Sequence, residues 1–130
     1  MILESLGIIA LLLATWFIIQ PFLKQPEHFD NSKDATFYFF YTTWCGYSKK
    51  ACPHWNEFKR LIETRKVTYG GKKVQLVAID AEKHADMAKK FHVEGYPSFR
   101  LRTPQQIFEF SGAPSVDHFR EFLKKTLGYE

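Results

Sequence analysis

Cys45 stands where the aromatic run Phe37-Tyr38-Phe39-Phe40-Tyr41 gives way, through Thr42-Thr43-Trp44, to Gly46-Tyr47-Ser48-Lys49-Lys50. The run reads as a buried strand and the residues after the cysteine as the start of a helix. A cysteine there faces unpaired backbone N–H groups and the positive end of the helix dipole. Both favour the thiolate, which is the nucleophile in thiol chemistry, and Lys49 and Lys50 are expected to push in the same direction. The plainer alternative is a small buried residue closing a core strand. Cys52 is the other cysteine. In a continuous helix it stands about 10.5 Å along the axis from Cys45. A disulfide needs Cα atoms within about 7 Å, so an internal bridge would require unwinding, and Cys52 reads as core.

The elements needed to position Cys45 can be read in order. Thr36–Thr42 is apolar on both faces, which suits a central strand. Gly46 to about Lys66 is a helix whose core face is Ala51, Trp55, Phe58 and Ile62, with Pro53 inside it. Tyr69-Gly70-Gly71 is a turn, Val74–Asp80 a second buried strand, and Lys83–Phe91 a short helix burying Met87 and Phe91. Phe99–Arg102 and Gln105–Phe110 pair as a hairpin across Thr103-Pro104. Ser115 caps a last helix that buries Val116, Phe119, Leu123 and Leu127. A helical crossover followed by a hairpin implies an α/β domain with a mixed sheet of about four strands flanked by helices.

The chain has 130 residues, enough for one ordinary domain. All 18 Lys and Arg lie after residue 23, interleaved with acids and without an Arg-rich stripe, so nucleic acid is not an expected partner. Leu6–Leu23 is an uncharged, mostly apolar stretch near the ~20 residues of a membrane span. The expected organisation is a transmembrane anchor over 1–23, a polar linker over 24–35 and the folded domain over 36–130. This predicts a single-pass membrane protein held by residues 2–23, on an endoplasmic reticulum or virion membrane, with the side left open.

Four features in order then resemble the thioredoxin-like family and its protein disulfide isomerase type of domain. They are Phe40-Tyr41-x-x-Trp44-Cys45-Gly46, Pro53 in the helix, Val77-x-Ile79-Asp80, and Val93-x-Gly95-Tyr96-Pro97-Ser98. The resemblance covers about residues 34–127. It implies a thioredoxin-like fold and a cis bond before Pro97, which faces Cys45. It also implies a substrate groove drawn from Trp44, Gly46, Tyr47, Tyr96 and Pro97.

The departures from that family are as informative. Its Cys-x-x-Cys becomes Cys45-Gly46-Tyr47-Ser48, and Ser48 cannot resolve a mixed disulfide, though its hydroxyl can hydrogen-bond to the Cys45 thiolate. The family's buried carboxylate falls at Phe39, its partner Lys at Leu76, and an assisting Arg at Ala113. The leading expectation is a monothiol exchange protein in which Cys45, supported by Ser48, forms mixed disulfides with client proteins bearing Cys or disulfides. No bound cofactor is expected, with glutathione as an external reductant. One alternative is a scaffold at a membrane or in a virion, since small membrane-anchored thioredoxin-like proteins of large DNA viruses are similar in outline. The other is a glutaredoxin-like iron–sulfur or glutathione site, because Cys45-Gly46-Tyr47-Ser48-Lys49 is similar to a monothiol glutaredoxin motif. No metal ligands are assigned.

Overall fold

The computed structural model describes residues 2–19 and 35–130. The chain separates into two units, Met1–Asp30 and Asn31–Glu130.

The first unit contains helix α1, Ile2–Ile19. Ile8, Ile9, Leu11, Leu12 and Leu13 are all exposed. At about 1.5 Å per residue, its 18 residues reach roughly 27 Å, short of a hydrocarbon core of about 30 Å. Among the described residues, no helix is long and apolar enough to cross a membrane. The spanning helix expected over residues 1–23 is corrected to that extent. Residues 20–23, needed to complete it, and the linker up to residue 34 lie outside the described residues.

The second unit is built on β1, Ala35–Tyr41. Successive side chains of a strand point to opposite faces, and β1 supplies an aromatic to each. Phe37 and Phe39 join one core cluster, Tyr38 and Phe40 the other. A strand buried on both faces must be interior. It stands third in a five-stranded sheet of order β2-β3-β1-β4-β5, where the sequence suggested about four strands. The flanking strands are β2 (Thr68–Tyr69), β3 (Lys72–Asp80), β4 (Ser98–Arg102) and β5 (Ile107–Phe110). The additional strand is the short β2, which pairs antiparallel with β3 across the positive-φ turn Gly70-Gly71. Tyr69 therefore lies in a strand, and Gln105 lies outside β5. β1 runs parallel to β3 and antiparallel to β4, with Phe39 opposite Phe99.

Three helices cover the sheet: α2 (Gly46–Arg65), α3 (Ala85–Lys90) and α4 (Val116–Leu127). From α2, Ala51, Trp55, Phe58 and Ile62 enter the first cluster, as their spacing predicts, and Phe119 and Leu123 of α4 meet them there. Ser115 Oγ accepts from the His118 N–H at 3.1 Å, completing the expected cap. Val116 and Leu127 pack only partly buried. α3 is shorter than expected and covers the other face with Ala88. Phe91 is buried just beyond it, while Met87 packs partly buried rather than fully. Phe37 is a hub, with ring contacts to Trp55, Phe58, Phe99, Phe110, Phe119 and Phe122 at 5.3–6.4 Å.

Candidate functional site

The site forms where β1 ends and α2 begins. Cys45 is the N-cap of α2, in extended conformation at φ −80 and ψ 119. Its carbonyl accepts the first helical bond, from the Lys49 N–H at 3.1 Å. The first turn of α2 leaves N–H groups without intrahelical partners next to this residue. The Ser48 backbone N–H, above all, lowers the pKa of the thiol. Desolvation works against it, while the Tyr47 N–H and the hydroxyls of Ser48 and Thr42 add to the lowering. Lys49 and Lys50, expected to contribute, do not figure among the causes. Both are exposed, where water and salt screen their charge. Lys50 Nζ instead lies 5.8 Å from the Tyr47 ring centre.

Ser48 is fully buried, and its Oγ accepts the Thr42 N–H at 3.3 Å. Cys52 is half-buried and free, as is Cys45. Helix α2 is unbroken from Gly46 through both Cys52 and Pro53, so the two cysteines stay on separate turns. Trp44 and Tyr47 are 68% and 73% exposed on either side of Cys45. Large aromatics left in water at one spot form an apolar contact surface.

On the neighbouring strand, the loop before β4 reaches the same place, since Ser98 pairs with Phe40 near the end of β1. The Tyr96–Pro97 bond is cis. Cys45 Sγ donates to the Tyr96 carbonyl at 3.6 Å, across 51 residues of chain. Tyr47, Lys50, Ala51, His54, Tyr96, Pro97 and Pro114 line a groove of about 290 Å³ beside the cysteine. The structure thus brings Cys45, Tyr47, Ser48, Tyr96 and Pro97 together, with Trp44 and Gly46 as chain neighbours of the cysteine. Phe39 takes no polar role: it is buried and stacked on Phe99 at 4.9 Å. Leu76 belongs to the same cluster. Among the described residues, no group of three or more His, Cys, Asp or Glu could hold a metal ion.

Sequence reasoning missed three contributors. His54 and Pro114 line the groove from α2 and from the turn before α4. Arg100, read as one of the alternating residues of a strand, is buried. It donates to the carbonyls of Phe91, Phe99 and His92 at 3.1–3.4 Å and lies 3.6 Å from Glu109. It ties the end of α3 to β4, the strand that follows Pro97. Ser98 Oγ closes the loop on the Gly95 carbonyl at 2.6 Å. Strand alternation puts Arg100 on the face opposite Phe99 and Leu101, and the fold covers that face too.

Residues 24–125 match the Thioredoxin family. A protein disulfide-isomerase of Schizosaccharomyces pombe is 32% identical over 99 residues, 75% of this chain and 26% of that protein. Protein disulfide-isomerase TMX3 of Mus musculus is 32% identical over 100 residues, 76% of this chain and 21% of that protein. The chain therefore spans about a quarter of the length of these relatives. Among solved structures, the crystal structure of human ERp44 superposes with a TM-score of 0.64 at 23% identity, over 78% of this chain and 28% of that one. The first thioredoxin domain of mouse protein disulfide-isomerase A4 does so with a TM-score of 0.60 at 24% identity, over 72% and 64%.

Proposed function

The chain belongs to the thioredoxin family, and on that premise we propose that it is a thiol–disulfide exchange module whose Cys45 forms mixed disulfides with client proteins. The observation that carries this reading is the placement of Cys45. Cys45 stands at the N-cap position of α2, and its thiol has a lowered pKa and sits against the Tyr96 carbonyl beside an open groove.

In the proposed step the Cys45 thiolate attacks one sulfur of a client disulfide. A new S–S bond joins that sulfur to Cys45, and the other client sulfur leaves as a thiolate, so Cys45 is oxidised as that client sulfur is reduced and the pair still holds one disulfide. Ser48 supplies no thiol to attack the adduct, and Cys52 lies nearly two turns along α2. Release therefore falls to an external thiol such as glutathione, or to a client thiolate that re-forms a different pairing. This monothiol chemistry favours isomerisation or retention of clients over net oxidation. Trp44 and Tyr47 would hold an apolar client segment against the groove.

Capture of clients in cells expressing the full chain, followed by thiol blocking and non-reducing electrophoresis, tests the reading. Cys45-dependent adducts that collapse on reduction are expected. A Cys45→Ala variant that captures the same partners would overturn it in favour of a scaffold.

The exposed apolar side chains of α1 support a second part of the proposal, attachment of the module to a membrane through this segment. A helix apolar on all sides is stable in water only when covered. Sedimentation with membranes after alkaline wash should require α1, and full release into the supernatant would exclude attachment.

A further inference from the structure

Thr42 follows β1 and precedes the cysteine by three residues. It is 2% exposed, and its hydroxyl oxygen is buried without a hydrogen-bond partner. Interiors rarely leave such a group unpaired, because burial removes the water that would satisfy it. The Thr42 backbone is well held, since its N–H donates to Ser48 Oγ at 3.3 Å. That bond occupies Ser48 Oγ as an acceptor and leaves its single proton free to donate elsewhere. Two hydroxyls thus stand at the base of the Cys45 site, each with a proton to give.

We infer that Thr42 is a further catalytic residue, whose hydroxyl donates, together with that of Ser48, to the Cys45 sulfur once the thiol ionises. The inference rests on the exchange reading of Cys45. In the protonated form, Sγ donates to the Tyr96 carbonyl. Loss of the proton leaves two acceptors facing each other, a repulsive pair. The sulfur is then drawn to the donors of the Tyr47 and Ser48 N–H groups and of the Ser48 and Thr42 hydroxyls, the groups that depress its pKa. Thr42 is the one among them whose hydroxyl oxygen is buried with neither a donor nor an acceptor partner in the thiol form. The same donors stabilise Cys45 as the leaving group when an external thiol attacks the client sulfur of a mixed disulfide.

The test is the iodoacetamide alkylation rate of Cys45 against pH in the full chain, with mass spectrometry separating Cys45 from Cys52. Parent, Thr42→Val and Thr42→Ser are compared, with thermal unfolding of each. Valine keeps the shape and removes the hydroxyl. It should raise the midpoint, so that alkylation well below the midpoint is roughly two- to threefold slower. Serine should stay close to the parent. The valine variant should melt no lower than the parent, because the lost hydroxyl had no structural partner. A valine midpoint equal to the parent's overturns the role of Thr42 while leaving the activated cysteine standing. A parent midpoint at or above the free-thiol value of about 8.5 overturns both. A valine variant that fails to fold, or melts well below the parent, also overturns the inference, since the hydroxyl would then serve the fold.

Discussion

Ser48 occupies the place of a second thiol, one turn into α2 and fully buried beneath Cys45. Ser48→Cys changes a single side-chain atom, so it tests what the serine withholds. The variant should form an internal disulfide and release captured clients without added thiol, where the parent holds them. Intact mass and non-reducing gels report both changes, and parent-like persistence of the adducts would count against the monothiol account. At this scale the sequence was informative where chemistry depends on neighbours in the chain. Trp44, Cys45, Gly46, Tyr47 and Ser48 are contiguous, so their clustering follows from the chain itself, and the N-cap placement of Cys45 follows from a helix start. Thr42 and Arg100 were not legible, because their side chains are defined by partners that only tertiary folding supplies. The Lys49 and Lys50 contribution failed for the opposite reason: adjacency in sequence placed their charges in solvent.

Among the elements, β1 determines both the core and the site. It sends Phe37 and Phe39 to one face and Tyr38 and Phe40 to the other, and it ends next to the loop that carries Cys45. Phe39 lies within ring contact of Tyr41, Trp55 and Phe99 at 4.9–5.4 Å. Such pairs each add about 0.5–1.5 kcal/mol beyond simple burial. Phe39→Ala should lower unfolding free energy by about 3–5 kcal/mol in urea titrations, and a loss under 1 kcal/mol would mean that the cluster repacks freely. The helices and long strands were readable because their apolar periods are complete. β2 was not, because two residues cannot show a period. It exists through pairing with β3 across Gly70-Gly71. Gly70 is confined by more than its φ of +57, since a Cβ there would collide with the Leu127 carbonyl.

At the scale of the whole molecule, residues beyond α4 bind that same turn to the rest of the domain. The Gly70 N–H donates to the Tyr129 carbonyl at 2.9 Å. Glu130 takes a two-point bond from Arg120, Nε and Nη2 each at 2.7 Å, and a third from Tyr69 Oη at 3.2 Å. The Arg120 hydrogen bonds, chiefly, hold its carboxyl at about 2, below its ordinary value of 4.5. A carboxyl whose pKa is lowered by folding stabilises the fold above its unfolded value. That contribution should therefore be full above pH 4.5 and fade as pH falls toward about 2. Glu130→Gln should remove this part of the acid dependence and cost at most about 1 kcal/mol at neutral pH, as part-exposed ion pairs do. Urea midpoints at pH 7 and pH 3 measure it; an unchanged difference between the two would show the tie to be energetically silent. The apolar α1 lies outside this unit, and its attachment to a membrane is a separate question from the chemistry of Cys45.

That chemistry is tested most directly by incubating the full chain with oxidised glutathione and following intact and peptide masses over time. The account predicts a single glutathione adduct on Cys45, none on Cys52, and persistence of the adduct until an external thiol is added. Failure of Cys45 to react, or rapid conversion of the adduct to a Cys45–Cys52 disulfide, would contradict it.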